Sequence, residues 1–213
     1  MQPHVRLAVI DVATGEVKWA DAGQKDRVVE FSQPLWSEDG SRAVLAVRAA
    51  DNKDRWILAL DPVTGKTHAL ADAHDDAWVD GPGINTLGWM KDDRSVYFQS
   101  ERDGYSHLYT ISFDGGEPRQ LTSGEWEVTN VELSRDKTRF YLTTSEGSPF
   151  ERQVYVVSAE SGGRTRLTSM PGAHQVTLSP DETWLADVYS YTNKPPELYV
   201  GENRQHTNES RLT

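Results

Sequence analysis

In a chain without cysteine, serine, histidine and the carboxylates are the residues that could do chemistry. A serine nucleophile of the α/β-hydrolase type sits on a Gly-x-Ser-x-Gly elbow, a sharp strand-to-helix turn that exposes the hydroxyl. No such string occurs. Gly40-Ser41 and Gly147-Ser148 lack the second glycine and any following helical pattern, and they read as turn serines. The six histidines, His4, His68, His74, His107, His174 and His206, form no His-Glu-x-x-His pair, so the zinc-peptidase motif is missing. Asp72, His74, Asp75 and Asp76 cluster before Trp78 and carry the donor types a divalent cation takes. Their spacing matches no calcium loop, and a solvated acidic loop is expected. Glu125 and Glu127 flank Trp126. Paired carboxylates suit glycosidase acid–base work, but on a strand the two glutamates share one solvent-facing side while Trp126 turns into the core.

His107 stands just before Leu108-Tyr109 and reads either as a site residue or as a packing histidine bonded to a backbone group. Arg102 and Asp103, in the Ser100-Glu101-Arg102-Asp103-Gly104 turn, pair with each other or project towards a partner. Asn208-Glu209-Ser210 has the form of a glycosylation sequon. These residues supply no catalytic set, no metal site and no cofactor site.

The elements that position these residues repeat. One half-unit reads apolar strand, Ser-x-Asp turn, apolar strand. Its copies centre on Trp36-Ser37-Glu38-Asp39, Trp89-Met90-Lys91-Asp92, Leu133-Ser134-Arg135-Asp136 and Leu178-Ser179-Pro180-Asp181, with gaps of 53, 44 and 45 residues between the aspartates. The other half reads strand, glycine turn, strand, ending near Leu70, Leu121, Leu167 and Leu212, which step by 51, 46 and 45 residues. Each unit thus holds four short strands joined by turns of the Asp-Gly, Thr-Gly or Gly-Gly kind. Tandem units of this size and make-up are the signature of β-propeller blades, with a parallel-strand solenoid the weaker alternative.

The expected fold is all-β: about four four-stranded antiparallel blades at 31–71, 84–123, 127–169 and 174–213, plus an extra N-terminal hairpin (half a blade) at 5–21. An open arc with exposed edges, or association of two chains through them, follows from that count.

Bulk composition agrees and removes several function classes. The chain has 213 residues, 37% hydrophobic and 26% charged, enough for a globular core. With 22 basic and 33 acidic residues the net charge is −11, and no basic cluster offsets it. A phosphate backbone or an anionic lipid surface is therefore an unfavourable partner. No apolar run reaches the ~20 residues of a bilayer span. Met1-Gln2-Pro3-His4 leads into a strand-like run rather than a basic-then-apolar leader. A bacterial periplasmic or cytoplasmic location is expected, with nothing in the sequence choosing between them.

One stretch is specific enough to suggest a family. Ser100-Glu101-Arg102-Asp103-Gly104-Tyr105-Ser106-His107-Leu108-Tyr109, followed by Leu121-Thr122-Ser123-Gly124-Glu125-Trp126-Glu127-Val128, resembles the propeller domain of dipeptidyl peptidase IV and its prolyl oligopeptidase (S9) relatives. Ser148-Pro149-Phe150-Glu151-Arg152-Gln153-Val154-Tyr155, Leu178-Ser179-Pro180-Asp181 and Tyr189-Ser190-Tyr191-Thr192-Asn193-Lys194-Pro195-Pro196 fit the same family. The resemblance covers about residues 78–200 and thins towards the N-terminus.

In that family the propeller precedes an α/β-hydrolase domain carrying a Ser-Asp-His triad, caps the active site and admits short peptides. The resemblance implies that this chain is the last part of such a propeller, non-catalytic, gating substrate and supporting a hydrolase domain that it does not contain. The loop Trp78-Val79-Asp80-Gly81-Pro82-Gly83 falls where family members present substrate-facing residues, without the arginine some of them have there. Trp78, Asp80, Arg102 and His107 are accordingly the substrate-facing candidates. Peptide substrate, the hydrolase domain and a second copy at open blade edges are the expected partners, and no cofactor is expected. A free-standing module like the TolB propeller, binding a protein or peptide, is the alternative. A glycosidase-type propeller would rest only on scattered carboxylates.

Overall fold

The computed structural model describes residues 5–23, 27–203 and 210–211, the last two by backbone alone. Among these residues the chain forms nineteen strands and no helix. β1 (Ala8–Ile10) and β2 (Val17–Trp19) make a hairpin. β3 (Val29–Phe31), β4 (Leu35–Trp36), β5 (Ala43–Ala49), β6 (Asp54–Leu60) and β7 (Thr67–His74) make the first full sheet. Both β3 and β4 pair with β5, so they fill one position of that sheet. They are split at Ser32-Gln33-Pro34, because proline brings no N–H to the ladder. β8 (Leu87–Trp89), β9 (Ser95–Ser100), β10 (His107–Ser112) and β11 (Arg119–Gln120) form the second sheet in sequential order. The third is β12 (Val128–Leu133), β13 (Arg139–Thr144), β14 (Gln153–Ser158) and β15 (Arg164–Arg166). The fourth is β16 (Ala173–Leu178), β17 (Trp184–Tyr191), β18 (Lys194–Glu202) and β19 (Ser210–Arg211). Pairing is antiparallel in the hairpin and in the first, third and fourth sheets, which is incompatible with a parallel solenoid.

The repeated turn has one construction. Ser37 Oγ donates to Asp39 Oδ1 at 2.7 Å, and the same oxygen accepts Ser41 N at 2.8 Å. Asp136 repeats this with Ser134 and Thr138, and Asp181 with Ser179 and Thr183. Asp92, which lacks the serine, binds Arg94 N and Ser95 N instead. The residue after each aspartate, Gly40, Asp93, Lys137 or Glu182, has φ between 52° and 69°. The donors hold the carboxylates ionised: Asp39 and Asp136 are brought from 3.8 to about 2, chiefly by the Ser37 and Ser134 hydroxyls.

The glycine turns repeat too. Asp11 accepts Ala13 N and Thr14 N in the hairpin, just as Asp61 accepts Val63 N and Thr64 N in the first sheet. The hairpin therefore has the make-up of the second half of a sheet.

Two compact units divide the chain, Met1–Gln99 with Tyr109–Arg119 and Ser100–Leu108 with Gln120–Thr213, and the division passes through the second sheet. In the first unit, β5 and β6 bury both faces by strict alternation. Leu45, Val47, Leu58 and Leu60 pack with Leu7, Val9 and Ala20 of the hairpin. Val44, Ile57 and Ala59 pack with Trp89, Phe98, Tyr109 and Ile111. In the second unit Tyr141 and Val154 pack with Val176, Leu178 and Leu185. The first full sheet extends beyond 31–71, from Val29 to His74, because β7 goes on pairing with Asp54–Ile57 after a bulge at Ile57/Leu58. His4, His206, Leu212 and Thr213 lie outside the described residues, as do Asn208 and Glu209 of the sequon.

Candidate functional site

The loop between β7 and β8 is held from below. Asp75 Oδ1 accepts Ala77 N at 2.7 Å and Trp78 N at 3.1 Å, and Val79 N donates to Asn52 O at 2.6 Å. Farther along, Gln99, only 1% exposed, donates from Nε2 to Pro82 O and accepts Thr86 Oγ1 at 2.6 Å. Gly83 lies against this carboxamide with φ 73°, and any Cβ there would collide with it. No side chain fits at that point of the loop. Arg55, 5% exposed, donates to the Gln99 carbonyl at 3.2 Å, and burial lowers its guanidinium to about 10. The result is a loop pinned at both ends whose middle presents Trp78, 68% exposed, and the exposed carboxylate of Asp80.

Arg102, on the turn between β9 and β10, and His107, the first residue of β10, belong to the other compact unit. Arg102 is exposed, with Nε 3.4 Å from Ser100 Oγ. The neighbouring Asp103 carboxylate accepts Gln120 Nε2 at 2.5 Å. His107 is 0% exposed. One ring nitrogen faces Thr122 Oγ1 at 3.1 Å and the other Gly124 O at 2.9 Å, while Trp126 meets the ring edge-on at 4.7 Å. With both nitrogens engaged and no exposed surface, His107 has nothing to offer a substrate. The packing alternative describes it.

The expectation for Glu125 and Glu127 is half corrected. Trp126 is buried, with the Arg164 guanidinium 5.2 Å from its ring. Glu125 is exposed, but Glu127 is half-buried and its carboxylate accepts Ser106 N at 2.5 Å. Its own N–H donates to Ser145 Oγ. Glu127 thus clamps the base of the Arg102 turn instead of lying in solvent, and it is not poised as an acid or base.

Asp72 and His74 lie on β7 rather than in a loop. His74 Nδ1 is 2.7 Å from Asp54 Oδ1, and Arg27 bridges Asp54 and Asp51. Hydrogen bonding to Asp54 raises the His74 pKa. Asp54 and Asp51 are thus taken up by Arg27 and His74, Asp75 is spent on backbone N–H groups, and no group of three ligands for a metal occurs among the described residues.

Sequence reasoning missed the anchors: Gln99, Arg55, Glu127 and the buried His174–Asp187 pair, 2.6 Å apart. One signal was present. Six residues after the turn aspartate the four sheets carry Leu45, Phe98, Leu142 and Asp187.

Comparison with known proteins fits this architecture. The family described as "Dipeptidyl peptidase IV (DPP IV) N-terminal region" matches residues 1–196. A "Probable dipeptidyl peptidase 4" of Aspergillus flavus is 33% identical over 176 residues, covering 78% of this chain and 22% of the relative. A "Probable dipeptidyl-aminopeptidase B" of Emericella nidulans is 27% identical, covering 99% of this chain and 25% of the relative. The chain therefore spans about a quarter of the length of these curated relatives. The crystal structure of Porphyromonas gingivalis dipeptidyl peptidase 4 superposes with TM-score 0.78 and 20% identity over 98% of this chain and 29% of that one. The chain belongs to the dipeptidyl peptidase IV N-terminal region family, and its four-stranded sheets are blades of that family's β-propeller.

Proposed function

We propose that this chain is the non-catalytic propeller portion of a dipeptidyl-peptidase-type serine peptidase. It works beside an α/β-hydrolase domain outside these residues, gating access of short peptides and supporting that domain. Trp78, Asp80 and Arg102 are its substrate-facing residues. The observation that carries this reading is the loop 75–86: an exposed aromatic and an exposed carboxylate on a backbone fixed by Asp75, Gln99 and Gly83. Pre-organised loops of this kind bind without a large ordering cost. Family membership favours this reading over a free-standing binding module. Peptide acyl transfer would require the nucleophile, base and orienting acid of the missing domain.

Two measurements test it. The purified chain should take no fluorophosphonate label and release no product from a Gly-Pro chromogenic amide; labelling with turnover would overturn the non-catalytic assignment. In a polypeptide joining this chain to its hydrolase domain, Trp78→Ala and Asp80→Asn should raise KM about fivefold with kcat nearly unchanged. An unchanged KM in both would remove the substrate-facing role.

A further inference from the structure

The last blade places an aspartate at a core position. Leu45, Phe98 and Leu142 occupy the matching position of the other three sheets, and all four residues are at most 1% exposed. A carboxylate so buried persists only with a partner. His174 supplies it: Nδ1 lies 2.6 Å from Asp187 Oδ2, with both side chains fully buried. The other ring nitrogen, Nε2, lies 2.9 Å from Met170 O. A carbonyl only accepts, so Nε2 carries a hydrogen, and one further proton is shared between Nδ1 and Oδ2. Asp187 Oδ1 has no hydrogen-bond partner among the described residues, so the carboxylate depends on His174.

The pair reaches beyond its own sheet. Met170 O also accepts Gln153 Nε2 at 3.0 Å, Tyr189 Oη donates to Pro171 O at 2.8 Å, and Arg152 N donates to Gly172 O at 3.0 Å. The connection between β15 and β16 thus hangs from four residues. Its Gly172 and Ala173 line a groove of about 440 Å³ together with Ser148, Phe150, Glu151 and Tyr191. We propose that the His174–Asp187 pair is a proton-dependent lock on this connection, and through it on the groove.

With the shared proton in place, both bonds are made. Its removal leaves one N–H for two acceptors, so either Met170 O is released or the buried carboxylate faces a bare nitrogen. An extra proton, at low pH, instead leaves a net positive charge in the core. Tyr189 on β17 is the nearest other titratable ring, 5.1 Å from His174, and burial raises its pKa, so it stays neutral through the window of interest. Tyr199 on β18 pairs across from Asp187 and packs on Tyr189; Lys194 and the carboxylates of Glu151 and Glu197 act on Tyr189 from the periphery.

The full chain provides the test. Histidine-side-chain ¹⁵N spectra near neutral pH should show hydrogen on both nitrogens of His174, or a proton shared with Asp187. A bare Nδ1 that accepts no shared proton overturns the proposal. Amide exchange at residues 173–178 and 184–190, corrected for intrinsic base catalysis, should quicken about tenfold between about pH 6.5 and pH 9.5. The His174→Gln, Asp187→Leu double variant, which installs at position 187 the leucine of the first and third blades, should be flat over that range. A flat wild type, or a variant as steep as the wild type, overturns the lock. If the variant does not fold, the wild-type spectra and exchange profile decide alone.

Discussion

The second and third blades solve one problem with different side chains. In the second, His107 bonds Thr122 Oγ1 and the carbonyl of Gly124. In the third, Gln153 accepts Thr168 Oγ1 at 2.7 Å and donates to the carbonyl of Met170. In both, the threonine hydroxyl accepts the next backbone N–H, Leu108 or Val154, at 3.0 Å. The clasp ties the first residue of the third strand to the end of the fourth. It requires a donor and a polar neighbour for threonine at fixed spacing, and either an imidazole or a carboxamide meets that need. The first full blade does without it, placing Trp56 and Ala71 at the corresponding positions. The comparison explains why a histidine inside a family motif is architectural: its role is reproduced in a neighbouring blade by a residue with no acid–base chemistry.

His107→Leu should break the clasp most severely. It leaves the Gly124 carbonyl and Thr122 hydroxyl without their partner in a closed interior and should cost about 3 kcal/mol in urea unfolding. Thr122→Val and Thr168→Val keep the shape but strand Leu108 N or Val154 N. Each should cost about 1–2 kcal/mol, and equal losses would show the two clasps to be equivalent. His107→Gln copies the third blade and should cost less than about 1 kcal/mol. A loss as large as that of His107→Leu would break the equivalence and return a specific role to the imidazole.

The turn staples respond to pH in the same way in both units. Asp39 and Asp136 have folded values of about 2, below their ordinary 3.8. Lowered values mean that their contribution is complete above about pH 4 and is lost as the pH falls through about 2. Unfolding midpoints followed by circular dichroism should show this acid limb, and Ser37→Ala or Ser134→Ala should move it to higher pH. Because the staples are solvent-exposed, this effect should be the smallest of the set.

Local chemistry fixed much of this protein in advance. Turn aspartates with serine or threonine donors, glycines where φ is positive, and period-two apolar strands each act over a few residues, so the order and make-up of the blades are legible from the chain alone. The exposure of Trp78 and Asp80 also accords with their loop setting. The tertiary structure decided what depends on contacts between residues far apart in the chain. It buried His107, turned Glu127 from a solvent-facing carboxylate into a clamp on Ser106 N, seated Gly83 on Gln99 and enclosed Asp187 with His174. These outcomes depend on which polar groups lose water when sheets pack, and a polar residue's type shows what it can bond, not which partner will be left beside it once solvent is gone.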